Sequence, residues 1–359
     1  MSTRDRRSRV LRLIDDDGSV TVADLARRFA VSEMTVRRDL EQLAAEGLAV
    51  RVRGGATRPS AAPDMGRIAA RADLTIGVVV PTTDYVYRPL LSGIDRTLRH
   101  AGAASTLRVS RYETDRERTL VDELISSGVD GLLFGPTIDA DDLDPGQLDW
   151  LSSIDTPTVL LERSLPVTWP GRSLSSIRTS FPRGLTLAME HLVELGHTGI
   201  AFFGHARRMD LVSVNALWAE LLARFGLDAT HCPLGVDRNF QRWQSDVEAE
   251  RVLTRVRDAG ATALVCRDDT VALTMAHCAQ RLGIAVPEDL SLIAYDDELA
   301  TMGQPPLTAI STPKAALGER ATNLLLEHVH DTAYGHTSHR VHIELDPRLV
   351  VRGSTAPPA

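Results

Sequence analysis

Cysteine, lysine and long apolar runs are all scarce in this chain of 359 residues, and each scarcity rules something out. The three cysteines, Cys232, Cys266 and Cys278, leave one over in any disulfide scheme. None stands at a paired metal-ligand spacing, so a disulfide scaffold and a cysteine zinc site both fit poorly, and a reducing cytoplasm is the expected setting. Apolar runs such as Ile76 to Val80 and Gly131 to Phe134 stop far short of the roughly 20 residues that span a bilayer, so no membrane helix is expected. The N-terminus is arginine-rich and lacks the apolar core of a secretory signal, which argues against export. Lys314 is the only lysine, a bias we read as codon usage. No P-loop, nucleophile elbow or metal triad is present, so neither a cofactor nor a bound metal is expected.

What is present is ordinary globular composition, 43% hydrophobic and 25% charged, with length for two or three domains. The net charge of −8 is unevenly spread. Through Ser60, twelve arginines face nine acids, a net of +3, which leaves −11 for the remainder. A small basic module precedes a larger acidic one, and only the first suits a polyanion.

The basic module reads as three short helices and a hairpin. Val10, Leu11 and Ile14 form one apolar stripe, and Val22, Leu25, Ala26 and Phe29 repeat at helical spacing in the next. After a tight turn, Ser32 is a good N-cap with Glu33 at the positive helix end, and Val36, Leu40 and Leu43 make the third buried stripe. Thr35, Arg37, Arg38, Glu41 and Gln42 lie outside that stripe, as a reader of the major groove requires. Arginine pairs with guanine edges through two hydrogen bonds, Thr and Gln read other edges, and Ser32 with the helix start suits a phosphate. Asp39 is expected to pair locally with an arginine. The stretch LAVRVRGGAT, residues 48–57, alternates apolar and Arg before two glycines, as a β-ribbon wing does, placing Arg51 and Arg53 to reach backbone or minor groove.

Residues 58–73, RPSAAPDMGRIAARAD, hold prolines and small residues without a strong period and form the natural linker. Beyond it, short apolar runs alternate with amphipathic helical stretches in two successive parallel-sheet units, an α/β pattern. Ligands of open α/β sheets sit beyond the carboxyl ends of strands. There the sequence places Thr82 and Tyr85, Glu162 with Arg163, Arg267 with Asp268 and Asp269, and Asp296 with Asp297. Carboxylates accept from vicinal hydroxyls, Arg donates and rings cover an apolar sugar face, so the set suits a polyhydroxylated ligand. Arg88, Arg163 and Arg267 also welcome a phosphate or carboxylate, unless neighbouring acids occupy them. Phe181, Asn215, Trp218, Phe240 and Trp243 are further candidates for stacking or amide contacts.

Two resemblances sharpen this reading. The stretch VTVADLARRFAVSEMTVRRDLEQLAAEGLAVRVRGGA is similar to the winged helix-turn-helix of the DeoR family of bacterial repressors, with VSEMTVRRDL and RVRGGA as the diagnostic parts. That implies DNA binding through Ser32, Thr35, Arg37, Arg38, Arg51 and Arg53. From Leu74 onward the chain resembles the effector domain of the lactose-repressor (LacI) family, a two-lobed type I periplasmic-binding-protein-like fold with parallel sheets. TIGVVVPTTDY, MEHLVELGHTGIAFFG and VPEDLSLIAYDDELATMGQPPLTAISTP carry the match. By position it implies ligand contacts on the loop after Val80 and on Glu162, Asn215, Asp268, Thr270 and Asp296. The chain departs from that family's pattern at Asn215 and Trp218, where an arginine and a glycine are common, at Asp268, where Asn is usual, and at Ser180, where Asp is frequent. A convincing hinge helix is also missing from residues 64–72, so the wing is expected to supply the secondary DNA contact.

The expected organisation is a winged helix-turn-helix at 1–57, a linker at 58–73 and an effector domain at 74–359. Its first lobe takes in about 74–176 and 307–335, its second about 177–306 and 336–353. His191 and His197, six residues apart, do not share a helical face and are read as structural; Asp268, Asp269 and Asp296 are read as ligand-binding groups and not as a glycosidase dyad. Three whole-protein readings follow: a homodimeric repressor released from operator DNA by a sugar-like effector, a DNA-binding protein whose body only dimerises, and, weakest, a sugar-metabolising enzyme.

Overall fold

The computed structural model describes residues 6–7, 9–10, 13, 19–29, 31–45, 49–52, 55–57, 74–138, 144–165, 174–205, 211–237, 246–336 and 339–359. The chain divides into two compact units, Met1–Ala70 and Arg71–Ala359. Arg53, Phe240, Trp243 and the linker at 58–73 lie outside the described residues.

In the first unit the helices Val22–Phe29 and Glu33–Ala45 pack through the stripes their sequences carry. Val22, Leu25, Val36, Leu40 and Leu43 are buried together with Val10, Ala49 and Ala56. The wing is larger than a hairpin. Strands β1 (Ser19–Thr21), β2 (Val50–Val52) and β3 (Gly55–Thr57) form an antiparallel sheet in the order β1-β3-β2. The three-residue β1 ahead of the first long stripe is too short to show a period, which is why sequence patterning passes over it.

The second unit holds two six-stranded sheets. In lobe 1 the order is β14-β8-β7-β6-β4-β5, all parallel, from Thr75–Val80 (β4), Ala104–Val109 (β5), Gly131–Phe134 (β6), Thr158–Leu161 (β7), Ser175–Thr179 (β8) and His342–Leu345 (β14). In lobe 2 the order is β10-β9-β11-β12-β13-β15, from Ile200–His205 (β9), Leu234–Asp237 (β10), Ala263–Cys266 (β11), Ser291–Asp296 (β12), Thr308–Ser311 (β13) and Arg348–Val350 (β15). Only β15 runs antiparallel in that sheet. The central strands are apolar runs buried end to end, as sheets covered on both faces require.

These pairings shift the expected lobe limits. β13 belongs to lobe 2 although it follows residue 307, and β14 belongs to lobe 1 although it follows residue 336. β8, split by a limit at residue 176, lies wholly in lobe 1. Short strands at or next to a sheet edge carry no mark of which sheet they join, so only the pairing assigns them. The chain therefore passes between lobes three times: between Thr179 and Phe181, Ser311 and Lys314, and Leu345 and Arg348.

One helix contact fixes the cleft wall. Arg88–His100 packs on Lys314–Ala333 at backbone distance, because a Cβ at Gly93 would stand 2.2 Å from the Ala315 carbonyl oxygen and one at Gly318 2.2 Å from that of Leu90. Larger residues at either position would push the helices apart and carry Lys314 away from the strand ends.

Candidate functional site

The recognition helix Glu33–Ala45 begins with a side-chain cap. The Thr35 N–H donates to Ser32 Oγ at 3.2 Å, and the Ser32 and Thr35 hydroxyls lie 2.9 Å apart. Arg37, Arg38, Glu41 and Gln42 are exposed, while Val36, Leu40 and Leu43 are buried. Thr35 is half-buried. Arg37 reaches back to Glu33 at 3.4 Å, an exposed pair worth little that leaves the guanidinium available to DNA. Arg51 stands on β2, where its backbone opposes Ala56. Asp39 pairs with Arg6 at 2.5 Å and Arg7 at 3.0 Å, partners more than thirty residues away and not local ones. It is buried, and it ties the recognition helix to the N-terminal helical segment. Met34, 67% exposed beside the cap, is a surface that sequence reading missed. An apolar side chain there fits a thymine methyl group.

In the second unit a cleft of about 430 Å³, open mouth included, lies between the lobes. Val86, Tyr87, Leu90 and Tyr112 line it with Glu162, Arg163, Arg267, Asp296 and Lys314. Glu162 follows β7, Arg267 follows β11, Asp296 ends β12, and Lys314 opens the helix that returns to lobe 1. Among the described residues, the non-glycine residues with left-handed backbone are Arg111, Tyr112, Glu162, Asp268, Asp296 and Asp297. All follow or end strands at this rim, and such strain gathers at functional sites because the surrounding fold must hold it.

Lys314 bonds Glu162 Oε1 and stands 3.8 Å from Asp296 Oδ1. Burial works to raise the Glu162 carboxyl, but the Lys314 charge and hydrogen bond, with two bonds from Thr179, hold it below the ordinary carboxylate range. The Arg267 guanidinium lies over Tyr295 at 4.4 Å and Phe181 at 5.0 Å from the ring centres. Its Nη1 stands 3.8 Å from Asp296 Oδ1, beyond hydrogen-bond reach. Arg267 Nε and Nη1 and both Asp296 carboxylate oxygens are buried with no hydrogen-bond partner. Buried polar groups are nearly always paired, and these four atoms facing one cleft have no partner among the described residues.

The structure thus brings Glu162, Arg267 and Asp296 to the cleft and sets Phe181 beneath Arg267. It takes others away. Asp268 accepts from the Val271 N–H at 3.0 Å and the Thr270 hydroxyl at 2.6 Å, so both residues are engaged in capping the helix Asp269–Arg281. Asn215 is exposed on the helix Leu211–Phe225 and does not line the cleft. Trp218, three residues on, is buried and donates to the Cys232 carbonyl. Thr82 accepts from the Asp84 N–H and lines a separate open depression with Arg108, Arg111 and Arg116. Tyr85 lines neither. Position after a strand selects a rim, and which rim residues turn inward depends on caps and turns that spacing does not encode.

Lys314 and the apolar wall of Val86, Tyr87 and Leu90 were missed. The signal was present: the chain's only lysine, at a helix start after a strand. Asp269 also has a definite role. It is fully buried and accepts from the N–H groups of Asp297, Glu298 and Leu299, pinning the loop after β12. Burial, opposed by the Leu299 N–H and reinforced by Asp296, raises its carboxyl to about 7. His197 has one imidazole nitrogen on Thr262 and the other on Ser291 and the Ala356 carbonyl, so it anchors the C-terminal tail. One trio, His330, Asp331 and His336, brings possible metal-ligand atoms within 4.8 Å at the far end of the helix Lys314–Ala333, away from the cleft.

Comparison with known proteins places both units. A DeoR-like helix-turn-helix domain model matches residues 6–62, and a periplasmic binding protein-like domain model matches residues 189–355. An HTH-type transcriptional regulator from the aml 5' region of Streptomyces limosus is 31% identical, over 95% of this chain and 96% of its own length. The chain belongs to the LacI family of transcriptional regulators. Another relative in this family, the arabinose metabolism transcriptional repressor of Geobacillus stearothermophilus, is 28% identical over 95% of this chain and 92% of its own. Among solved structures, a dimeric Lac repressor lacking 11 C-terminal residues shares the fold, with a TM-score of 0.65 over 80% of this chain and all of that one, at 23% identity. This LacI-family chain is a ligand-responsive, DNA-binding regulator, and its relatives are transcriptional regulators. Its DeoR-like head keeps the wing that the sequence indicated. Among the described residues, no helix is long and apolar enough to cross a membrane.

Proposed function

We propose that this regulator is a cytoplasmic homodimeric repressor of carbohydrate-related genes, released from operator DNA when a sugar-like effector enters the interlobe cleft. One observation carries the reading: Asp296 and Arg267 hold buried, unpartnered acceptors and donors side by side in that cleft. A ligand hydroxyl that donates to Asp296 and accepts from Arg267 supplies both missing bonds.

The cleft walls belong to different lobes joined by three crossovers, so a ligand bound to both favours one lobe angle over others. In a two-fold dimer that angle changes the spacing of the two recognition helices. Half-sites lie about one helical turn or a multiple apart, so a few ångströms of lobe motion becomes lost affinity. β5 is an edge strand of lobe 1 and exposes Leu107 at 42%, a surface that favours a partner chain. Exposed Arg37, Arg38 and Gln42 suit the base edges of the operator, with Ser32 on phosphate and the wing arginines, Arg51 and Arg53, on the secondary contact.

A thermal-shift screen of the purified chain against sugars, sugar acids, sugar phosphates and nucleosides tests the reading. Ligand at 100 times its dissociation constant adds about 2.7 kcal/mol to stability. The expected result is a hit in the wild type that Asp296→Ala abolishes. Silence across the panel with DNA binding intact would favour a body that only dimerises.

A further inference from the structure

In sequence the strand ends look strongly acidic, with Glu162, Asp268, Asp269, Asp296 and Asp297. Their partners reverse that impression. Asp268 caps a helix, Asp269 is sealed against three backbone N–H groups, and Asp297 pairs with Arg352 at 2.7 Å. Glu162 is engaged by Lys314 and Thr179. Among the described residues, Glu162 and Asp296 are the acids lining the cleft, against Arg163, Arg267 and Lys314. The described lining therefore carries one positive charge in excess.

Arg267 is the centre of that excess. Its flat face is taken by Tyr295 and Phe181, and Arg163 Nη1 is spent on the Glu162 carbonyl at 2.8 Å. Arg267 Nε and Nη1 keep buried N–H groups without acceptors. A charge held out of water in this way calls for an acceptor that is itself charged.

We propose that the effector is a sugar acid, a polyhydroxylated ligand with a single carboxylate bound by Arg267, its hydroxyls donating to Asp296. The inference rests on the cleft being the effector site. A carboxylate offers acceptors to the guanidinium, and its single charge matches the single excess; a phosphate dianion overshoots it. Held on lobe 2 by Arg267 and Asp296, the ligand would lie against Glu162 and Arg163 of lobe 1.

Calorimetric titration of the full chain with matched probes tests this: D-glucose, D-gluconate and D-glucose 6-phosphate, and D-galactose with D-galacturonate. At least one acid is expected to bind about 10- to 100-fold more tightly than its neutral partner, the range of a hydrogen bond to a charged group. Arg267→Gln should bring that preference to near parity, and Arg267→Lys should retain part of it. If Arg267→Gln does not fold, Arg163→Gln provides the second variant, expected to weaken the acid more than the neutral sugar. Neutral sugars binding as tightly as their acids, or the phosphate surpassing the carboxylate, would overturn the proposal while leaving the effector reading intact. No binding by any probe class would overturn both.

Discussion

The recognition helix and the interlobe cleft are assembled in opposite ways. Ser32, Thr35, Arg37, Arg38 and Gln42 come from one eleven-residue stretch and stand outside a packed stripe. Glu162, Arg267, Asp296 and Lys314 come from four distant segments and are mostly buried, Glu162 and Lys314 held by each other and Arg267 and Asp296 left with unpartnered polar atoms beside them. On the helix, function can change one residue at a time without disturbing the fold. In the cleft, a change of ligand group is also a change of core electrostatics.

The largest effect expected from that difference lies at Asp39, which stands on the recognition helix but behaves like a cleft residue. Removing one partner of a buried ion pair costs about 3–5 kcal/mol. Asp39→Ala should therefore unfold the head and abolish DNA binding, while calorimetry leaves the body's melting transition unchanged. A folded head with altered sequence preference would make Asp39 a reader instead. At the cleft, Lys314→Met should cost about 3 kcal/mol of body stability by the same reasoning, because it leaves Glu162 buried without its cation. Glu162, no longer held below the ordinary range, should then protonate at a higher pH. Its stabilising contribution, present above the unfolded carboxylate pKa in the wild type and lost as pH falls through the depressed folded value, should disappear from the acid limb of the stability curve.

Effects on DNA come next. Arg37→Ala and Arg38→Ala should each lower operator affinity by about 1–3 kcal/mol where the arginine reads a base, with a changed sequence preference, and leave effector affinity unchanged. Arg53→Ala should weaken all sequences alike and reduce the salt slope of DNA binding by about 1. Unchanged affinity and salt dependence would remove the wing from the interface. The smallest effect concerns Asp269. Its raised pKa of about 7 means that the charge it carries grows as pH rises through neutrality, next to Asp296. An acidic effector should bind more weakly, by roughly two- to three-fold, at pH 8 than at pH 6; no change would show that the charge stays screened from the cleft.

The same contrast explains what the sequence revealed. The helical stripes at Val22–Phe29 and Val36–Leu43 and the run of buried parallel strands were legible because periodicity and apolar length report burial directly. Strand ends located the cleft, and Glu162, Arg267 and Asp296 were found there. What spacing could not show was the competition for each carboxylate. Asp268 and Asp269 look like ligand groups until a helix N-terminus and a loop backbone claim them. Asn215 sits at a family position yet is exposed, and Lys314 reaches the cleft only because Gly93 and Gly318 let two helices close on each other. β13 and the edge strand β14 change lobes for a related reason: the partner strands decide, β12 and β15 for β13 and the distant β8 for β14.

The most direct test of the whole account joins the two regions. Duplexes selected from a random pool by the purified chain provide its DNA target, and affinity for that target is then measured with and without a saturating cleft ligand. The account predicts that the ligand weakens DNA binding by the wild type at least ten-fold and leaves Asp296→Ala unaffected. Equal DNA affinity in the presence and absence of a ligand known to fill the cleft would contradict it.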